Sequence, residues 1–133
     1  MKRALATLIV LSIAGCGGGK TDKEKIESTV RDYFTAFADS DYKKACDNLS
    51  EPTREQLKEA ARVKDCATAL ERGAARTEVR QFKTKLRDAR VVSVDIKDKT
   101  ATAKVSAIGT TTSLPLVKEG DSWKVQGQAG EEE

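Results

Sequence analysis

The sequence predicts an α+β fold in which N-terminal helices pack on one face of an antiparallel β-sheet. Apolar residues recur every three or four positions from about residue 23 to residue 75, which is the period of amphipathic helices. From residue 90 onward they alternate with polar residues, as in half-buried strands. A chain of 133 residues has room for one domain. Helices followed by strands therefore favour a layer of helices on one sheet face.

The first fifteen residues are predicted to be an export signal. Lys2 and Arg3 precede an apolar run from Ala4 to Ala14, which is too short to span a bilayer, because a spanning helix needs about 20 residues. The sequence IAGC that ends at Cys16 resembles the bacterial lipobox, in which a cysteine after small residues receives a diacylglyceryl group. An ordinary secretory signal with a chance cysteine is the alternative.

The lipobox resemblance implies that Cys16 becomes the lipidated N-terminus and that fatty acyl chains such as palmitate hold the protein on the cell membrane, outside the cytoplasm. Two or more acyl chains make such anchoring stable. We therefore expect residues 1–15 to be a removed signal peptide and residues 16–22 to be the lipidated cysteine with a flexible tether. The folded domain should span residues 23–127, and residues 128–133 should form an acidic tail.

The first predicted helix has the clearest pattern. Its stripe of apolar and aromatic residues lies at i, i+4, i+7, i+8 and i+11, namely Ile26, Val30, Tyr33, Phe34 and Phe37. This spacing predicts a helix over about residues 23–38 with one face toward the core.

Shorter helices are predicted to follow. Asp41 can cap a second helix that carries Cys46 and Leu49, and Ser50 with Pro52 is typical of the start of a third helix. A fourth helix should run over about residues 65–75. For residues 78–86 the spacing of the apolar side chains is helical, but a strand over residues 79–82 also fits.

Four strands are predicted in the last third of the chain. Their apolar members are Val92, Val94 and Ile96, then Ala101, Ala103, Val105 and Ala107, then Leu114 and Leu116, and last Trp123 and Val125. Asp95 and Lys104 should point to the opposite face. Pro115 cannot donate a backbone hydrogen bond, so its strand should be an edge strand or carry a bulge.

Composition excludes several classes of function. The chain carries 24 Lys and Arg against 21 Asp and Glu, and this balance argues against a polybasic nucleic-acid-binding protein. It has no histidine, so the Ser-His-Asp and Cys-His arrangements and histidine-containing zinc sites are excluded. We expect no metal and no cofactor.

Two cysteines remain once Cys16 is lipidated. Outside the cytoplasm Cys46 and Cys66 should form a disulfide between the second helix and the segment after the third. Two buried free thiols are the alternative. A redox-active pair is disfavoured because the chain has no Cys-x-x-Cys motif.

The order of the predicted elements and the last hairpin, a polar turn followed by Trp123 and Val125, resemble the nuclear transport factor 2-like superfamily, and within it small actinobacterial lipoproteins. The resemblance covers about residues 22–127 and implies a cone-shaped sheet whose open end can hold a small apolar ligand. The candidate pocket lining is Tyr33, Phe34, Phe37 and Trp123. Small residues such as Ala101 and Ala103 either leave this space open or let a helix pack closely.

Two classes of function follow. The favoured one is a non-enzymatic, membrane-anchored module that binds a cell-envelope protein or a small apolar ligand, with a homodimer through the sheet face as a further expectation. The alternative is a small isomerase, dehydratase or hydrolase that uses the cone. We assign no catalytic residues, because no side chains pair as acid and base. The interior should be lined by Ile26, Val30, Phe34, Phe37, Val92, Val94, Val105, Leu116 and Trp123, with Tyr33 at its rim.

Overall fold

The computed structural model of the chain describes residues 21–127. The predicted signal peptide, the lipidation site Cys16 and the acidic tail lie outside these residues. The described part is an α+β domain in which helices precede a four-stranded antiparallel sheet. The predicted fold class is therefore confirmed at this level.

Five α-helices and one 3₁₀ helix, η1, precede the sheet. They are α1 (Asp22–Ala38), α2 (Tyr42–Asp47), α3 (Glu51–Ala61), α4 (Cys66–Ala74), α5 (Thr77–Arg80) and η1 (Lys83–Asp88). The first four begin after a residue whose side chain accepts a hydrogen bond from a backbone amide of the first turn, namely Thr21, Asp41, Ser50 and Asp65. Each cap satisfies an amide that the helix itself leaves unpaired.

The first helix begins one residue before its predicted start. Thr21 and Glu24 form a capping box, in which each side chain accepts a hydrogen bond from the other residue's amide. Asp22 is already helical, so the last two residues of the predicted tether belong to the domain.

The segment left open at residues 78–86 is helical. It forms α5 and η1, and the alternative of a strand over residues 79–82 is wrong. Val79, Phe82 and Leu86 are half-buried, as their helical spacing predicted.

The sheet contains β1 (Arg90–Lys97), β2 (Thr100–Ala107), β3 (Thr110–Glu119) and β4 (Ser122–Val125), in the order β1-β2-β3-β4. All neighbours are antiparallel and the sheet does not close on itself. Asp95 pairs with Thr102, and Lys104 pairs with Ser93 and Ser113. These side chains are exposed, so Asp95 and Lys104 lie on the outer face as predicted.

The position of Pro115 differs from the prediction. Its strand, β3, lies between β2 and β4 and pairs with β2 without a register shift. Pro115 lies just beyond the last pair of β3 with β4, and its carbonyl accepts a hydrogen bond from the Gln126 amide. Because the nitrogen and carbonyl of a strand residue face the same side, the proline lacks its N–H where β4 has ended.

The core lies between α1 and the inner sheet face. Of the predicted interior residues, Ile26, Val30, Val105, Leu116 and Trp123 are buried, whereas Phe34, Phe37 and Val94 are half-buried against them. Ala101 and Ala103 are also buried in this core, which fits close packing.

Val92 is the error in the predicted interior, because its side chain is 62% exposed. The register of β1 against β2 shifts between Val91 and Ser93, and Val91 is the residue that pairs with Val105. A bulge of this kind inserts one extra residue and reverses the alternation on its two sides.

Candidate functional site

An apolar pocket of about 220 Å³ lies where the helices meet the end of the sheet. Its walls come from α1, α3, α4, β3, β4 and the segments that flank α3 and β4. The lining residues are Tyr33, Leu49, Thr53, Gln56, Leu57, Leu70, Leu114, Val125 and Gly127. The lining contains no Asp, Glu, Lys or Arg, so it suits an uncharged ligand.

Backbone hydrogen bonds fix the wall formed by Leu49 and Val125. The Ser50 amide donates to the Val125 carbonyl at 2.8 Å, and the Val125 amide donates to the Asn48 carbonyl at 2.7 Å. Leu49 and Val125 thereby form a parallel bridge that covers the outer edge of β4. The wall is thus held by the main chain and does not depend on side-chain packing alone.

Thr53 and Gly127 close the pocket next to that wall. The Gly127 amide donates to Oγ1 of Thr53 at 2.8 Å, and the Thr53 hydroxyl lies 2.7 Å from that of buried Ser50. A Cβ atom on Gly127 would lie 2.8 Å from Cγ2 of Thr53, closer than carbon atoms pack. Glycine at this position therefore permits the close approach.

The disulfide holds the helices around the pocket. Sγ of Cys46 and Sγ of Cys66 are 2.04 Å apart, with their Cα atoms separated by 6.1 Å. The predicted pair thus links α2 to the first residue of α4, and α4 contributes Leu70 to the pocket.

Tyr33 is the ionisable residue of the lining. Burial raises the pKa of its phenol to about 12, because the protein replaces the water that would solvate the phenolate. Its ring packs against Phe34 and Phe37, with centroids 5.3 and 6.3 Å away. Its hydroxyl makes no hydrogen bond with any residue in the range 21–127, and it keeps some contact with solvent, since no fully buried side-chain oxygen in that range lacks a partner. The phenol is therefore a protonated donor at neutral pH with no partner in the described chain.

The other three predicted lining residues lie elsewhere. Phe34 and Phe37 are half-buried next to the core, and Phe37 contacts Tyr42 edge to face at a centroid distance of 5.7 Å. Trp123 is buried beneath the first turns of α1. The structure therefore brings only Tyr33 of the predicted set to this pocket.

Trp123 holds the start of α1 to the sheet. Its Nε1 donates to Oδ1 of Asp22 at 3.1 Å, and the Thr29 hydroxyl donates to its carbonyl at 3.1 Å. The bond from Trp123, together with the nearby ammonium group of Lys118, lowers the pKa of the Asp22 carboxyl. The tryptophan thus acts as a structural anchor.

Sequence reasoning missed most of the pocket. Leu49, Leu57, Leu70 and Leu114 are each ordinary apolar positions of separate elements. No spacing rule connects them, because they meet only after the helices have packed on the sheet.

Comparisons of the chain with protein-family models, with curated proteins and with solved structures find no match. Within residues 21–127, no helix is both long and apolar enough to cross a bilayer. The same range holds no group of three or more His, Cys, Asp or Glu side chains placed to bind a metal ion.

Proposed function

We propose that the protein is a lipid-anchored extracytoplasmic domain that binds a small, uncharged, mainly apolar molecule. The observation that carries this proposal is the leucine-lined pocket with the Tyr33 phenol in its wall. Apolar walls supply affinity by removing ligand surface from water, while one placed polar group supplies orientation.

We also propose that the domain has a nuclear transport factor 2-like fold. Helices that precede a four-stranded antiparallel sheet, with a pocket between the two layers, support a nuclear transport factor 2-like domain. The sheet here is open, and of the predicted aromatic lining only Tyr33 lines the pocket. Folds of this kind host many activities, so it is the pocket residues, and not the fold, that support binding.

The pocket chemistry favours binding over catalysis. An acid–base reaction in the cone needs two ionisable groups that converge on the substrate, and the lining supplies Tyr33 alone. A phenol whose pKa is about 12 stays protonated at neutral pH, so it is a poor general base but can donate a hydrogen bond. Tyr33 would thus donate to an oxygen atom of the ligand.

An uncharged fluorescent probe, N-phenyl-1-naphthylamine, tests the binding site. We expect its emission to rise on adding the protein and Leu57→Trp to weaken its binding about tenfold or more by filling the pocket. Leu86→Trp is the matched control, because Leu86 is also half-buried but lies in η1, outside the lining. No binding to the unmodified protein, or equal binding to both variants, contradicts the proposal.

The role of Tyr33 is tested with a second probe that carries a carbonyl group, 2-acetyl-6-(dimethylamino)naphthalene. Tyr33→Phe removes the donor and keeps the ring, so we expect about fivefold weaker binding of this probe, the worth of about one hydrogen bond. Binding of N-phenyl-1-naphthylamine should stay nearly the same. An equal loss for both probes would show that the variant disturbs packing and that Tyr33 does not recognise the ligand.

The anchoring part rests on Cys16 and the apolar run before it. Cys16→Ser should abolish labelling by a fatty-acid analogue and release the protein from membranes or block its processing. Unchanged labelling in this variant would refute the lipid anchor but would leave the binding site untouched.

A further inference from the structure

Positive charge is concentrated in one segment of the domain, residues 72–90, which we call the basic segment. It holds seven Lys or Arg residues and two acidic residues, whereas the remaining described residues hold 14 basic and 16 acidic ones. The balanced total charge of the chain conceals this separation. The basic side chains recur every two to four residues: Arg72, Arg76, Arg80, Lys83, Lys85, Arg87 and Arg90.

Two of these cations have structural partners. Arg87 pairs with the Asp39 carboxylate, and Nζ of Lys83 donates to the Ala38 carbonyl at 3.1 Å and to the Ser40 hydroxyl at 2.7 Å. Both contacts attach η1 to the C-terminal end of α1. These two cations are therefore engaged in contacts within the domain.

The other five cations have no acidic partner within residues 21–127. Arg72 donates to the Ala61 carbonyl at 3.0 Å, which satisfies one donor without neutralising its charge. The remaining four make no ion pair with a described residue, and all five side chains are exposed. Such a run raises the local positive potential and attracts anions.

We propose that the basic segment binds a linear polyanion that carries repeated phosphate groups. Guanidinium groups donate two parallel hydrogen bonds to phosphate. Four of the five cations without an acidic partner are exposed arginines, namely Arg72, Arg76, Arg80 and Arg90. Several exposed cations in one stretch of the chain match a ligand that carries a charge on each repeating unit.

The apolar and aromatic side chains argue against three other partners, namely a membrane, a protein and a nucleic acid. The large hydrophobic residues that are exposed among the described ones are Val92, Ile96 and Ile108, and none lies in the basic segment. A membrane-surface helix needs apolar side chains that insert beside its cations, and a protein interface needs an apolar centre. The segment also exposes no aromatic ring on which a nucleic-acid base could stack, since Phe82 is half-buried. A flexible phosphate chain needs neither apolar nor aromatic side chains to bind.

The test is a titration of fluorescently labelled inorganic polyphosphate with the full-length chain in non-ionic detergent, followed by anisotropy at several salt concentrations. The test variant replaces Arg76, Arg80 and Lys85 by Gln. The matched control replaces Lys97, Lys99 and Lys104 by Gln, which removes the same charge from exposed positions in and next to β1 and β2. Thermal unfolding of all three proteins checks that each is folded.

We expect the test variant to bind polyphosphate about tenfold more weakly, with the slope of log K against log salt reduced by about 0.7 per cation removed. The control should change affinity by less than about twofold. An equal loss in both variants would show a mere net-charge effect and overturn the proposal, as would no binding to the unmodified chain. Equal affinity for poly-L-glutamate would refute phosphate-polymer recognition.

Discussion

The helices α1 to α4 and the segment α5–η1 are stabilised in different ways. Each of the first four helices has a side-chain cap. Three of them, α1, α2 and α4, each bury two or more residues, and the disulfide links α2 to α4. Neither α5 nor η1 has a side-chain cap, and none of their residues is fully buried. The comparison indicates that the capped helices hold the pocket, while the uncapped segment presents charge at low stability.

Truncating an apolar side chain should give the largest difference in stability loss between the two regions. Ile26 of α1 is completely buried, so Ile26→Ala should lower the free energy of unfolding by about 2–5 kcal/mol. The matched change Leu86→Ala in η1 removes a half-buried side chain and should cost about 1 kcal/mol or less. Urea denaturation measures both values, and similar costs would refute the difference between the regions.

The disulfide should have the next largest effect, because it crosslinks only the capped helices. Its cysteines are 20 positions apart, and closing a loop of that length stabilises a protein by about 3 kcal/mol. Cys46→Ser and Cys66→Ser should lower the unfolding midpoint equally. The double variant should lower it little further, since each change removes the same bond. Free thiols detected by mass spectrometry in the exported protein would contradict this account.

Replacing the residues before α1 and α5 should give the smallest difference in free energy of unfolding between the two regions. Thr21→Ala removes the side-chain partner of the Glu24 amide and should cost about 1 kcal/mol. Arg76 is at the equivalent position before α5 but its side chain makes no capping hydrogen bond, so Arg76→Ala should change the free energy of unfolding by less than about 0.5 kcal/mol. A larger cost for Arg76→Ala would show an unrecognised stabilising contact in the basic segment.

The sequence was sufficient for the two layers and insufficient for the pocket. Helical and strand periods predicted α1 and the four strands because each depends on neighbouring residues in one element. Val92 was misplaced because a bulge has no clear signal in an alternating run. Tyr33 was found through its helix, whereas Leu49, Leu70 and Leu114 required the packed structure. The basic segment was visible in the sequence but hidden by averaging charge over the whole chain.

Amide hydrogen exchange of the folded protein tests the contrast between the two regions most directly. We expect amides of α1 and α4 to exchange only through global unfolding, with rates that follow the free energy of unfolding. Amides in residues 77–88 should exchange faster, through local opening that leaves the capped helices intact. Protection of residues 77–88 equal to that of α1 would contradict the account, because α5 and η1 would then be as firmly held as the helices around the pocket.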